Sequence, residues 1–412
     1  MANGGRFGLL GGKLGHSLSP EIHALLAEYE YRLYPTEPEG LDAFFADASL
    51  DGFNVTIPYK VEAFRRCTVR SPSAERIGSV NTVVRRADGT LYGDNTDYFG
   101  FLQMAARIHC SFQGKKVVIF GTGGASRTVQ AAAADGGARA VVCISRTGAE
   151  TYQTLDRHAD AEIIVNTTPV GMYPDTGKAP ADLTLFPRCE AVLDLIYNPA
   201  RTALLQQAAA LGIDHVGGLY MLVAQALRSA EQFLGASIPL TEIDRIHDRI
   251  LRAQKNIVLI GMPGCGKSTA ARLLGERTGR PVVDLDACIE AQGTSIPALI
   301  EQYGEAEFRR RESEVLRQYA KEKGQIIATG GGAILLPENR LALRENSEVV
   351  FLDAPLAQLA TDGRPLSAGG PARLQALAQT RMPLYLETAD VTVEVAQDPL
   401  LTVTRIEQAL KL

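Results

Sequence analysis

Two stretches of the chain share one local pattern: consecutive apolar residues, a glycine-rich turn, then a run with helical spacing. The first is Lys116-Val-Val-Ile-Phe120 followed by Gly121-Thr-Gly-Gly-Ala125, and the second is Asn256-Ile-Val-Leu-Ile260 followed by Gly261-Met-Pro-Gly-Cys-Gly266. An apolar strand, a glycine turn and a helix predict the first half of a βαβ unit at each place. The two loops differ in spacing and flanks, so they are not an internal repeat. Between them, Leu222, Val223, Ala226, Leu227, Ala230, Phe233 and Leu234 recur at helical spacing. Ile243, Ile246 and Ile250 predict a second helix, with Asp244, Arg245, Asp248 and Arg249 on its other face. Upstream, Gly52–Ile57 and Thr82–Arg85 read as strands alternating with helical stretches, and polar residues gather in turns at 16–20, 58–60 and 93–97. Polar clusters at strand ends are where substrate sites are built, although each taken singly is also an ordinary turn.

At 412 residues the chain exceeds one ordinary domain. A hydrophobic share of 46% and a charged share of 22% exclude a disordered tail protein and a collagen-like fibre. The net charge of −5 argues against nucleic-acid binding through bulk charge and leaves room for small basic pockets that take anionic metabolites. The cysteines Cys67, Cys110, Cys143, Cys189, Cys265 and Cys288 form no C-x-x-C pair and are too sparse for a disulfide framework. No secretory pattern opens the sequence, and no apolar run has the length of a membrane span. A reducing cytoplasm is the expected compartment.

The second glycine loop is Gly261-x-x-x-x-Gly266-Lys267-Ser268, a phosphate-binding loop in its proper strand-to-helix context. Its glycines, Gly264 among them, let backbone N–H groups turn toward phosphate oxygens; Lys267 supplies a point charge and Ser268, followed by Thr269, a hydroxyl for Mg²⁺. Downstream, Val283-Asp-Leu-Asp286 reads as a strand end whose two carboxylates share a face; one could steady a metal through water and the other orient or deprotonate an alcohol. An unremarkable acidic strand end remains the other reading. Phe308-Arg-Arg-Arg-Glu312 is by itself a solvated basic helix face. Thr329-Gly-Gly-Gly332, after a strand at 325–328, would let a substrate approach the backbone closely.

With GRPL and RMPLY added to these motifs, residues 255–412 resemble shikimate kinase along nearly their whole length. The resemblance implies that Asp286 binds the shikimate hydroxyls as base or orienter. It places Arg309, Gly331, Gly332 and Arg381 around shikimate, the two arginines on its carboxylate, where bidentate pairing suits a planar anion. It puts Asp284 with Ser268 near Mg²⁺, Glu312 bracing the ring or Arg309, and Arg364 in a lid over the transferring phosphoryl group. The lid stretch 358–365 is short for the family and has no arginine before Arg364, which implies weaker closure over ATP.

The first glycine loop, Gly121-x-Gly123-Gly124-Ala125-Ser126, reads as a dinucleotide loop with serine in place of the last glycine. The next strand ends in Ser145-Arg146-Thr147, where an NAD site would carry an acid for the ribose 2′-hydroxyl; arginine there favours the 2′-phosphate of NADP. Hydride transfer to a ketone also needs a proton donor, and Lys60 and Asp97, each at a predicted strand end, are candidates if they meet. The ordered motifs GKLGHSLSP, GFNVTIPYK, GSVNTVV, GDNTDYFGF, GTGGASR, SRT, VNTTPVGM, LDLIYNP and GLYMLVAQA make residues 6–250 resemble shikimate dehydrogenase throughout. That resemblance implies Ser17 and Ser19 on the substrate carboxylate, with Tyr197 approaching it. Thr56, Asn81 and Gln225 would bind the hydroxyls, and Lys60 and Asp97 form the catalytic pair. Residues 121–126 would take the pyrophosphate, Arg146 and Thr147 the 2′-phosphate, and Met221 would lie near the nicotinamide. Two departures stand out. Only residues 148–164 separate the SRT and VNTTPVGM motifs, which implies the loss of one strand–helix unit, and Glu150 falls where many relatives have a basic residue, so it would repel the phosphate unless it points away.

Together the resemblances imply an α/β protein: a split substrate domain (1–100 with 219–252), a shortened Rossmann-like NADP domain (101–218), and a P-loop kinase domain of the nucleoside-monophosphate-kinase type (253–412). The implied enzyme reduces 3-dehydroshikimate to shikimate with NADPH and phosphorylates shikimate with MgATP; its partners are these small molecules, without nucleic acid or membrane. The alternatives are a sensor of shikimate- or quinate-like ligands, and a first half that acts on quinate or with NAD.

Overall fold

The structure is a computed structural model that describes residues 5–15, 17–359 and 370–412. Its strands form three sheets. In chain order they are β1 (Arg6–Gly11), β2 (Glu30–Pro35), β3 (Gly52–Val55), β4 (Val69–Arg70), β5 (Thr82–Arg85), β6 (Leu91–Asp94), β7 (Lys116–Phe120), β8 (Ala140–Ile144), β9 (Ile163–Asn166), β10 (Ala191–Asp194), β11 (Asp214–Gly217), β12 (Asn256–Ile260), β13 (Val282–Asp284), β14 (Ile326–Ala328), β15 (Ser347–Asp353) and β16 (Val391–Glu394).

The first sheet is mixed, in the order β2-β1-β3-β5-β6-β4; the second and third are parallel, in the orders β11-β10-β9-β7-β8 and β13-β14-β12-β15-β16. The apolar runs at β7 and β12 are interior strands of the two parallel sheets, buried on both faces, which is why their sequences lack alternation. β3 ends at Val55, two residues short of the predicted end, because the chain turns through Thr56 and Ile57 into Pro58, which has no N–H for a ladder.

Packing divides the chain into two compact units: residues 1–172, 179–197 and 204–250, and residues 173–178, 198–203 and 251–412. The first unit holds the mixed sheet and the first parallel sheet. Within it the helix Thr96–Arg107 crosses the helix Gly218–Leu234 so closely at Gly100 that an added Cβ would lie 2.7 Å from the Met221 carbonyl oxygen. After β8 this unit has the 3₁₀ turn Tyr152–His158, and β8 is the sheet's edge. The second unit wraps the other parallel sheet in helices, with a core that includes Val258, Leu274, Leu316, Ile327 and Tyr385. All six cysteines are free. No helix among the described residues is long and apolar enough to cross a membrane.

Candidate active sites

In the first unit, a cavity of about 310 Å³ opens beside the C-terminal ends of β1 and β3. It is lined by Ser17, Ser19, Thr56, Lys60, Asn81, Asp97, Tyr197 and Gln225, so one cavity gathers every residue expected at the substrate of the first half. Lys60 and Asp97 do not end strands as their predicted context had it. Each opens a helix, Lys60–Arg66 and Thr96–Arg107, because the turns at 56–59 and at Asn95 already lie beyond the sheet. Lys60 Nζ donates to Asp97 Oδ2 at 2.6 Å, both side chains being partly shielded. A carboxylate this close holds the ammonium in one direction at the cavity wall.

Below the cavity floor lies a polar knot. Asn81 Oδ1 accepts from the Thr96 N–H at 2.7 Å, and Asn54 Nδ2 donates to Ser229 Oγ at 2.8 Å and to Thr82 Oγ1 at 3.0 Å. Ser229 Oγ also sits 2.8 Å from Thr82 Oγ1 and 3.1 Å from Thr96 Oγ1. These buried groups satisfy one another and lock the strand and helices that carry Asn81, Asp97 and Gln225. Sequence reasoning missed Asn54, Ser229 and the cavity-lining Lys13. Asn54 was signalled by its place inside the GFNVTIPYK motif, whereas Ser229 had no signal beyond a serine on an apolar helix face. Burial pushes the Tyr197 phenol above its ordinary value.

Met221 is buried and does not line this cavity. The cofactor-loop residues lie at the end of β7. Gly121 has φ +109°, and a Cβ there would lie 2.5 Å from Thr167 Oγ1, so only glycine fits. Thr122, Gly123, Gly124 and Ala125 are exposed at the start of the helix Gly124–Asp135, whose first turn carries no acid and whose cap Gly123 offers no side chain. The free N–H groups and dipole of that helix end suit a pyrophosphate. Ser126 is different: it is fully buried, its hydroxyl accepting from Gln130 Nε2 at 3.1 Å, so its small size serves helix–sheet packing as the missing glycine would. Arg146 and Thr147 are exposed just past β8. Glu150 points away from them: its Oε2 accepts from Thr154 Oγ1 at 2.8 Å and lies 3.1 Å from His158 Nε2. These bonds, the threonine's first, hold its carboxyl below the usual range.

In the second unit, a cavity of about 400 Å³ is lined by Gly264, Gly266, Lys267, Ser268, Thr269, Asp284, Asp286, Arg309, Glu312, Gly331, Gly332 and Arg381. Gly264 and Gly266 have φ +85° and +90°, the conformations that turn loop N–H groups inward. Lys267 is buried, its Nζ donating to the carbonyls of Gly261 and Met262 at 2.9 and 3.0 Å. Asp284 and Asp286 are not two positions on one strand face. β13 stops at Asp284, which caps the helix Leu285–Glu290 by accepting from the N–H groups of Asp286 and Ala287 at 3.1 and 3.3 Å. Both still line the cavity, because a first-turn residue and its cap point the same way.

The motif at 308–312 divides between inside and outside. Arg310 and Arg311 form the expected surface, paired with Glu307. Arg309 turns inward, its Nη1 donating at 2.6 Å to the fully buried Glu312. Desolvation alone would lower the Arg309 pKa, but Glu312 and Glu305 outweigh it and hold the guanidinium above its ordinary value; burial in turn pushes Glu312 up against the pull of Arg309. The glycines of 330–332 make room for these groups. A Cβ on Gly332 would lie 2.4 Å from Arg309 Nη1, and one on Gly330 would lie 2.6 Å from Glu312 Oε1 and 2.7 Å from Asp286 Oδ1. Arg381 is buried and donates to the Gly331 carbonyl at 3.0 Å, and Tyr385 donates to the same oxygen at 2.5 Å. Arg364 lies outside the described residues.

Comparison with known proteins agrees with this division. The shikimate dehydrogenase substrate binding domain family matches residues 9–83, and the shikimate kinase family matches residues 263–411. A shikimate dehydrogenase (NADP(+)) of Clostridium perfringens is 32% identical over 265 residues, covering 59% of this chain and 97% of the relative; one of Shouchella clausii is 37% identical, covering 56% and 93%. Among solved structures, a chorismate mutase/shikimate 5-dehydrogenase fusion protein of Clostridium acetobutylicum superposes with a TM-score of 0.57 at 34% identity, covering 60% of this chain and 98% of that one. A Thermus thermophilus shikimate 5-dehydrogenase in complex with NADP(H) and shikimate gives 0.54 at 32% identity, covering 60% and 99%. The chain belongs to the shikimate dehydrogenase family, with a shikimate kinase domain fused C-terminal to it.

Proposed function

We propose that the protein catalyses consecutive steps: NADPH-dependent reduction of 3-dehydroshikimate to shikimate, then MgATP-dependent phosphorylation of shikimate on its 3-hydroxyl. The observation that carries the reading is the Lys60–Asp97 contact at 2.6 Å inside a cavity rimmed by hydroxyl and amide side chains. A sensor needs the rim alone; an oriented ammonium aimed at a bound ketone is catalytic equipment. The reading divides the chain into a substrate lobe (1–100 with 219–252), a cofactor lobe (101–218) and a kinase domain (253–412), working in the cytoplasm.

In the dehydrogenase half, Ser17 and Ser19 bind the substrate carboxylate with Tyr197 beside it, and Thr56, Asn81 and Gln225 bind the hydroxyls. Lys60, steadied by Asp97, gives a proton to the carbonyl oxygen as negative charge develops there. Residues 121–126 hold the pyrophosphate of NADP, Arg146 and Thr147 its 2′-phosphate, and Met221 lies on the nicotinamide side; the cofactor supplies the hydride when bound. The exposed helix start at Gly124 and the exposed Arg146 fit that group.

In the kinase half, Arg309 and Arg381 bind the shikimate carboxylate, the Gly331–Gly332 backbone lets the ring approach, and Asp286 orients or accepts the proton of the attacking hydroxyl. Gly264, Gly266, Lys267 and Thr269 hold the nucleotide phosphates, and Arg364 would reach them from the lid. Ser268 directly and Asp284 through water would hold Mg²⁺.

The test is a one-pot assay with 3-dehydroshikimate, NADPH and MgATP, following products by mass spectrometry. Shikimate 3-phosphate is the expected product. Accumulation of shikimate would fault the kinase half, and unreacted 3-dehydroshikimate the dehydrogenase half.

A further inference from the structure

The loop that follows β8 holds an acid and a base within five residues of each other, the base exposed and the acid partly buried. Arg146 and Thr147 are exposed, while Glu150 is drawn back toward the 3₁₀ turn Tyr152–His158. An isolated bridge between Ser145 and Thr151 and a hydrogen bond from the Ser145 N–H to the Glu150 carbonyl at 3.2 Å close the loop on itself. The Glu150 side chain is then tethered at one oxygen, Oε2, by Thr154 Oγ1 at 2.8 Å and by His158 Nε2 at 3.1 Å. Thr154 is fixed in turn, accepting from the Thr151 N–H at 3.0 Å. His158 is nine-tenths buried, and its other ring nitrogen, Nδ1, is buried without a partner, so Glu150 is the ring's polar anchor. Among the described residues no ion pair joins Glu150 to Arg146; its Oε2 lies against the His158 ring instead.

Two chemistries compete at such a loop. An arginine receives a ribose 2′-phosphate, whereas a carboxylate accepts a hydrogen bond from a ribose 2′-hydroxyl and repels the phosphate. We propose that Thr154 and His158 set the dinucleotide preference of the dehydrogenase half by holding the Glu150 carboxylate off the cofactor loop. Both are positioning residues; neither touches the cofactor. The 3₁₀ turn that follows β8 supplies both tethers. The inference rests on the NADP reading of the dehydrogenase half.

The test is calorimetric binding of NADP⁺ and of NAD⁺ to the full chain, without turnover. The variants are Thr154→Val, His158→Leu and their combination, each with and without Glu150→Gln. Releasing Glu150 should lower the preference for NADP⁺ over NAD⁺ about fivefold or more, the effect of two unit charges roughly 4 Å apart in water. Adding Glu150→Gln should restore the preference, which a purely structural role of the tethers would not do. If His158→Leu fails to fold, Thr154→Val alone must shift the preference in the same direction and be rescued by Glu150→Gln. A preference unmoved by release of Glu150, or unrestored by the glutamine, overturns the inference while the cofactor reading stands. A wild-type chain that does not favour NADP⁺ overturns both.

Discussion

Lys60 and Ser229 act on the same cavity by different physics. Lys60 is partly shielded and aimed by Asp97, so removing it deletes a proton donor without opening a core. Lys60→Ala should lower the turnover of 3-dehydroshikimate by about 10²- to 10⁴-fold, the usual share of a positioned acid. Shikimate phosphorylation, read in the same preparation, should stay near wild type; loss of both would indicate misfolding instead. Ser229 never meets the cavity, yet its hydroxyl is packed among Asn54, Thr82 and Thr96. Ser229→Ala leaves those groups short of a partner in the interior, at a cost of about 1–2 kcal/mol. Because the knot holds Asn81 and Gln225 in register, the KM for 3-dehydroshikimate should rise several-fold with the kinase KM unchanged. A Ser229→Ala enzyme with wild-type KM would show that the knot serves stability alone.

At the scale of elements, the two βα turns were legible because an apolar strand ending in glycines has few other uses, and the observed bounds of β7 and β12 match the predicted ones residue for residue. What local pattern could not give was where strand yields to helix. Asp284 and Asp286 alternate like strand residues, but Asp284 can satisfy two helix N–H groups, and that capping bond starts the helix one residue later. The arginines at 309–311 were equally ambiguous, because only packing against 330–332 decides which of them turns inward. Those glycines give the next prediction. Gly332→Ala puts a methyl carbon 2.4 Å from the Arg309 guanidinium, a flexible group that can move but then leaves Glu312 and the substrate carboxylate. The KM for shikimate in the kinase assay should rise about tenfold or more, since a lost charge-assisted bond is worth about 1.5–3 kcal/mol. The KM for ATP should change little. An unchanged shikimate KM would mean that Arg309 does not bind the substrate from its observed position.

At the scale of the molecule, the second unit gathers segments that no periodicity assigns to it. Residues 173–178 and 198–203 lie far from 251–412 in sequence, and polar contacts are among those that join them to it. Arg201 forms a two-bond pair with Asp390, at 2.6 and 3.0 Å, and its Nε donates to the Arg344 carbonyl at 2.7 Å. Beside this cluster Glu345 is buried. Burial pushes its carboxyl from the ordinary 4.5 up to about 7, against the pull of the Thr176 hydroxyl, the Gly177 N–H and Lys321. A carboxyl whose pKa is raised by folding favours the fold while it is protonated. Its contribution is complete below about pH 4.5 and is lost as the pH rises through about 7. The shift corresponds to roughly 2–3 kcal/mol once partial solvent relaxation is allowed for. Glu345→Gln keeps the shape and hydrogen-bonding capacity of the protonated acid and cannot ionise. Thermal unfolding of the transition that carries the kinase half, followed from pH 5 to pH 8, should therefore show the wild type losing stability relative to the variant steadily between about pH 5 and 7, with the difference levelling off above about 7. Parallel pH profiles for the two proteins would mean that Glu345 is solvated in the folded chain, and that the polar cluster holding 173–178 and 198–203 is open to water.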